Sequence, residues 1–161
     1  MIYLSNILNK EQILDILNSN KIKTLLNKYN IKSFITFGSI NTDEFYEYSD
    51  VDIAVISDVK LEFDDLITLE FTIQSLLNRE IDIIDLNSNN LDLFIKINIL
   101  NTGVLIHTFD NNFTLNNFYN SVDRTYIENE NYIYFRRLDV LTWIKKDWQK
   151  LLKIYKNVLV I

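Results

Sequence analysis

The sequence predicts an α/β or α+β layer fold completed by C-terminal helices, and three observations carry that prediction. Apolar residues recur at helical and at strand periods in alternating segments through the first two thirds of the chain. Helical periodicity alone continues from there to the end. The length of 161 residues, with 48% apolar and 24% charged composition, fits one globular domain spanning residues 1–161 with room for a substantial core.

The elements follow in order. Residues 5–20, "SNILNKEQILDILNSN", place apolar side chains three and four apart behind Ser5, an expected N-cap, and residues 21–30 continue or follow that helix. "SFITFGS" (33–39) is a short β-rich run. A polar connection over 40–49 leads to "DVDIAVIS" (50–57), which alternates and ends in β-branched residues as a strand does. Residues 60–78 have helical spacing, and "EIDIIDLN" (80–87) reads as a third strand. "NLDLFIKINILNTG" (90–103) reads as a helix ended by Gly103, and "VLIHT" (104–108) as a fourth strand. Helices are expected over about 113–133 and 135–157. In the last of these, Leu138, Leu141, Ile144, Trp148, Leu152 and Tyr155 share one face and are expected to pack inward.

Composition narrows the function. A chain without cysteine has no disulfide framework, thiolate metal site or cysteine nucleophile, and a reducing cytoplasm is its expected setting. The N-terminal residues lack the basic flank and apolar core of a signal peptide, and no apolar run reaches membrane-spanning length. A net charge of −6 opposes direct nucleic-acid binding, which depends on clustered Lys and Arg. Seven of the 16 basic residues (Arg136, Arg137, Lys145, Lys146, Lys150, Lys153 and Lys156) nevertheless fall in the last 26 positions. They form either a solvated helix face or a docking surface for an acidic partner.

The chemistry concentrates in residues 37–57, "FGSINTDEFYEYSDVDIAVIS". Gly38 is one of only two glycines. Between a strand and a turn it lets the backbone approach a ligand closely, with the following N–H groups and the Ser39 hydroxyl turned toward an anion. Asp50 and Asp52 are two apart on a strand and so share a face, where their mutual repulsion requires compensation. A hard divalent cation such as Mg²⁺ supplies it. A third carboxylate would complete a site for metal-assisted phosphoryl or nucleotidyl transfer. The next strand offers Glu80, Asp82 and Asp85. Asp82 shares a face with Glu80 and Ile84, whereas Asp85 shares one with Ile81 and Ile83, the face expected to meet the helices. Asp82 is therefore the favoured third ligand. Any one of these carboxylates alone is an ordinary turn or cap residue; the set carries the reading.

Gly38-Ser39, ten intervening residues, Asp50-Val51-Asp52 and a later strand bearing Asp82 resemble the minimal nucleotidyltransferases (MNT domains) of the DNA polymerase β superfamily. The resemblance covers about residues 20–108, leaving a C-terminal helical extension over about 109–161. It implies a mixed β-sheet, nucleotidyltransferase-like, with helices on one face and the three carboxylates on the other. It further implies that Gly38 and Ser39 hold the outgoing phosphates and that Asp50 and Asp52 bind two Mg²⁺ ions. Asp82 would bind the catalytic metal and help deprotonate the acceptor. Small chains of this kind are similar to the antitoxins of HEPN–MNT toxin–antitoxin pairs, which implies AMP transfer from ATP to a tyrosine of a HEPN toxin. An aminoglycoside-type transferase is the alternative among enzymes, and a binding antitoxin that keeps the fold without turnover is the alternative outside them.

One departure stands out. Family members often carry arginines just after the Gly-Ser pair, but "INTDEFYEYS" (40–49) has no basic residue and carries Asp43, Glu44 and Glu47. Lys32, Arg79 and Lys96 are the cations elsewhere that could face a triphosphate. His107, the only histidine, is expected to be a packed or hydrogen-bonded residue, and the aromatic run "YIENENYIYFRR" (126–137) to serve the core or a partner. Ser39 has no base placed beside it by any motif and is not read as a nucleophile.

Overall fold

The computed structural model describes residues 7–131 together with Ile133, Tyr134, Leu138, Lys145 and Lys146. The chain divides into two compact units, Met1–Val122 and Asp123–Ile161. The first holds the whole sheet. Its elements are α1 (Lys10–Leu17), α2 (Asn20–Lys28), β1 (Ile31–Phe37), a 3₁₀ turn (Gly38–Asn41), β2 (Val51–Ser57), α3 (Phe63–Leu77), β3 (Ile81–Asp85), α4 (Leu93–Thr102) and β4 (Val104–Thr108). α5 (Phe113–Glu128) follows. No described helix is long and apolar enough to cross a membrane.

The first helix starts later than its periodicity implies. Residues 7–9 are not helical, and α1 begins behind Asn9. The Asn9 side chain accepts from the Gln12 N–H (2.9 Å) while the Gln12 side chain accepts from the Asn9 N–H (3.0 Å). This reciprocal cap satisfies two otherwise orphaned donors. Ser5, the expected cap, lies outside the described residues. Ser19 then caps α2, accepting from the Ile22 N–H, so the stretch after α1 holds a separate helix that ends at Lys28. Left-handed backbone occurs at Asn30, Asn78, Asn111 and Asn112. Asparagine tolerates this region better than other side chains, which is how a chain with so few glycines makes its turns.

The strands form one sheet in the order β3-β2-β1-β4. β1 is antiparallel to both β2 and β4, whereas β2 and β3 are parallel and joined through α3. The fold is thus an α+β mixed sheet. α1, α2 and α3 cover one face, where Ile13, Leu17, Ile22, Leu26, Leu69 and Ile73 are buried with Phe34, Ile53 and Val55. The opposite face is not left bare: Ile99 of α4 and Leu115 and Phe118 of α5 pack with Ile35, Phe37, Ala54 and Ile56. On the outer flank of β3, the Glu70 carboxylate of α3 accepts from the Ile83 N–H at 3.3 Å.

Gly103 does cap α4, but its φ of −70° is open to any residue. Space explains the glycine instead: a Cβ there would lie 2.4 Å from the Ile99 carbonyl oxygen and 2.6 Å from Ile35 Cγ2. His107 is buried, and its ring lies between Phe34 and Phe109. Nε2 is 2.8 Å from the Leu17 carbonyl oxygen, which can only accept, so this nitrogen carries the proton. Burial holds its pKa below the usual histidine value. His107 is a packed residue, as its isolation in the sequence implies.

In the second unit Ile133 is buried and Leu138 is 41% exposed. The rest of the expected helix 135–157, including Leu141, Ile144, Trp148, Leu152 and Tyr155, lies outside the described residues apart from Lys145 and Lys146.

Candidate active site

Asp52 is the second residue of β2 and Asp82 the second of β3, and the parallel register sets them directly opposite each other. Asp50 immediately precedes β2. Alternation along the strand direction brings its side chain to the same side, and carboxylate oxygens of Asp50, Asp52 and Asp82 all lie within 4.8 Å of one another. Asp50 and Asp82 are exposed; Asp52 is half-buried between them. Burial, followed by the charges of Asp50 and Asp82, raises the Asp52 pKa above the usual carboxylate value.

The Gly38-Ser39 turn abuts this cluster. Gly38 has φ +70°, and a Cβ there would lie 2.1 Å from Asp52 Oδ2. Glycine is therefore required twice, by backbone conformation and by the carboxylate against it. The turn is tied down by Asn41, whose Nδ2 donates to the Thr36 carbonyl (2.7 Å) and to the Thr102 carbonyl at the end of α4 (3.1 Å). Thr36 Oγ1 in turn donates to Asn41 Oδ1 (2.9 Å). The Ser39 hydroxyl is buried and has no hydrogen-bond partner among the described residues, a condition that a bound polar group would relieve.

Asp85 has a different environment. It is 4% exposed on the side of the sheet that meets α1–α3, and its carboxylate accepts from the Leu61 N–H (2.8 Å) and the Asn87 N–H (2.9 Å). It ties the end of the β2–α3 connection, just before α3, to the end of β3.

The cations are also accounted for. Lys32 pairs with Asp58 at 3.1 Å, at the end of β1 remote from Gly38. Arg79 gives its guanidinium to the carbonyls of Tyr46, Ser49 and Leu8 and lies 5.0 Å from the Phe45 ring centroid. Lys96 stands 5.9 Å over the Phe118 ring. Asp43, Glu44 and Glu47 are exposed. The anchoring roles of Asn41 and Arg79 escape a reading by periodicity and motif. Arg79 does carry a signal, because it is the only arginine in the first 123 residues.

Three oxygen-bearing side chains of like charge, brought this close at a mostly open surface, suit a hard divalent cation. Beside them the glycine turn and the unpartnered serine hydroxyl suit phosphate oxygens. A mixed sheet bearing such a cluster next to such a turn defines a phosphoryl- or nucleotidyl-transfer class of protein. The chain belongs to the polymerase beta nucleotidyltransferase family, whose pattern matches residues 20–112.

No curated protein matches the chain significantly by sequence. Solved structures match it by fold. A toxin–antitoxin crystal structure with AMP-PNP superposes with TM-score 0.57 at 20% identity, covering 71% of this chain and 94% of the other. A tri-AMPylated Shewanella oneidensis HEPN toxin in complex with MNT antitoxin gives TM-score 0.52 at 23% identity, with coverage of 73% and 94%. The toxin–antitoxin MntA-HepT gives TM-score 0.52 at 22% identity, with coverage of 73% and 95%. At these identities the likeness is one of fold.

Proposed function

We propose that this nucleotidyltransferase moves AMP from ATP to a tyrosine hydroxyl of a HEPN-type toxin and so acts as its antitoxin in the cytoplasm. The observation that carries this reading is the convergence of Asp50, Asp52 and Asp82 within 4.8 Å beside the Gly38-Ser39 turn. Asp50, Asp52 and Asp82 would hold Mg²⁺, two ions in the full complement. When bound, Mg²⁺ offsets the charge of the triphosphate and of the departing pyrophosphate. Gly38 and Ser39 bind the outgoing phosphates, the glycine by giving room and the serine through its free hydroxyl. Asp82, exposed at the rim, receives the proton of the attacking hydroxyl. The phenolic oxygen then bonds to the α-phosphorus as the bond to pyrophosphate breaks. A phenol with pKa of about 10 loses its proton more readily than an alcohol, which suits a site with carboxylates as its only bases.

Exposure of Asp50 and Asp82 suits an acceptor delivered on another protein, whose surface would exclude water from the reaction. The C-terminal extension, about 109–161, with its basic residues, is the proposed docking surface. The structural neighbours support this partner, being toxin–antitoxin complexes of which one contains AMP-PNP and another a tri-AMPylated HEPN toxin.

A second reading, a binding antitoxin with little turnover, draws on the cations. Lys32 and Arg79 are engaged elsewhere, and the connection beside the turn is acidic. One experiment separates the readings: incubation with ATP, Mg²⁺ and the HEPN-type protein encoded beside it, followed by intact-mass measurement and tyrosine mapping. Addition of AMP units to a toxin tyrosine supports transfer. A stable complex without mass gain favours the binding antitoxin. Modification of an added aminoglycoside alone would instead favour a small-molecule enzyme.

A further inference from the structure

We propose that Arg79 is a positioning residue that sets Asp50 for metal binding. The inference rests on the reading of Asp50 as a metal ligand. Asp52 and Asp82 are aimed by the register of paired strands. Asp50 is not: it ends the connection from the Gly38-Ser39 turn and precedes the first residue of β2. The direction of its side chain depends on its φ and ψ, which are the rotations relating the peptide planes on either side of it.

Both planes are held, and by consecutive residues. The plane before Asp50 contains the Ser49 carbonyl, which accepts from Arg79 Nη1. The plane after it contains the Val51 N–H, which donates to the Glu80 carbonyl at 3.0 Å. Residues 79 and 80 lead directly into β3, so the segment that delivers Asp82 also orients Asp50. Arg79 grips a turn that is already closed: Tyr46 N–H donates to Ser49 Oγ (3.0 Å), and Ser49 N–H donates to the Tyr46 carbonyl (3.1 Å). Nη1 also reaches the Tyr46 carbonyl and Nη2 the Leu8 carbonyl, both at 3.1 Å. The planar fork of donors makes these contacts together, whereas a lysine ammonium offers its donors from one atom. Among the described residues the ion pair formed is Lys32–Asp58; Arg79 fastens the backbone without neutralising the carboxylates it serves.

The test uses Mn²⁺ as the probe, with the full chain and no nucleotide, and reads free ion by electron paramagnetic resonance. Arg79→Met is expected to weaken Mn²⁺ binding by about tenfold, the scale on which an outer partner of a metal ligand acts. Arg79→Lys should fall between this variant and wild type. In an Asp50→Asn background, Arg79→Met should cause no further loss, because the residue acts through Asp50. Wild-type Mn²⁺ affinity in folded Arg79→Met, or losses that add in the double variant, would overturn the inference. Should Arg79→Met fail to fold, Arg79→Lys alone and over Asp50→Asn is read by the same rule. A wild-type chain that binds no Mn²⁺ would overturn the metal reading itself and the inference with it.

Discussion

Gly38 and Asp52 meet where a side chain would otherwise stand, since a Cβ on Gly38 would lie 2.1 Å from Oδ2 of the aspartate. Gly38→Ala must therefore adopt an unfavourable φ of +70° and displace a carboxylate from the cluster. Denaturant unfolding is expected to show a loss of about 1–3 kcal/mol, and Mn²⁺ titration a weaker site. Unchanged values in both measurements would show that the turn relaxes freely.

Asp52→Asn should have opposite effects on stability and activity. Raising the folded pKa of Asp52 means that the folded chain retains its proton where the unfolded chain has lost it. The contribution to stability therefore falls as pH rises from about 4 through the folded value. Without metal, Asp52→Asn is expected to melt higher than wild type at pH 7 and to flatten the pH dependence. Transfer should be lost, and added Mg²⁺ should raise the Tm of wild type more than that of the variant. A lower metal-free Tm for Asp52→Asn would contradict the repulsion described for the cluster.

Asp82 and Asp85 should separate turnover from folding. Asp85→Ala leaves the Leu61 and Asn87 N–H groups without their partner, at a cost of about 1–3 kcal/mol for each group that stays buried. Asp82→Asn, at an exposed position, should change stability by less than about 0.5 kcal/mol while slowing transfer on the order of 100-fold or more. Calorimetry beside an AMP-transfer assay checks both. The reverse pattern would exchange the two assignments.

Neutralising Asp43, Glu44 and Glu47 together as amides should tighten ATP binding by no more than about twofold at 0.15 M salt, because exposed charges are screened over about 8 Å there. A larger gain confined to low salt would fit this picture. A large gain at both salt concentrations would mean that these side chains face the triphosphate directly.

Much of this architecture was legible because strand periodicity carries direction as well as identity. The two-residue spacing put Asp50 and Asp52 on one side, and parity separated exposed Asp82 from buried Asp85. What escaped depends on contacts between distant segments. The start of the first helix is an exception: Asn9 and Gln12, three apart, form a local capping-box pattern that a reading by apolar periodicity behind Ser5 passes over. The Asn41 contact with Thr102 spans 61 residues and the Arg79 contact with Leu8 spans 71. Gly103 was legible as a cap but not as the residue that lets α4 approach Ile35, because that neighbour comes from another part of the chain.

β3 lies at the margin of the sheet, paired among the described residues with β2 alone. Elements at a margin open in sub-global fluctuations that leave the interior intact, and amide exchange detects such openings. Detachment of β3 would carry Asp82 away from Asp52 while β1, paired on both sides, keeps its ladders. Amides of Ile81–Asp85 are thus expected to exchange faster than those of β1, and Mg²⁺ to slow them selectively by RT ln(1 + [L]/Kd), ligand binding to the closed form being linked to closure. The carboxylate cluster would then serve as a clasp, making exchange at this strand a measure of metal occupancy without any chemistry taking place.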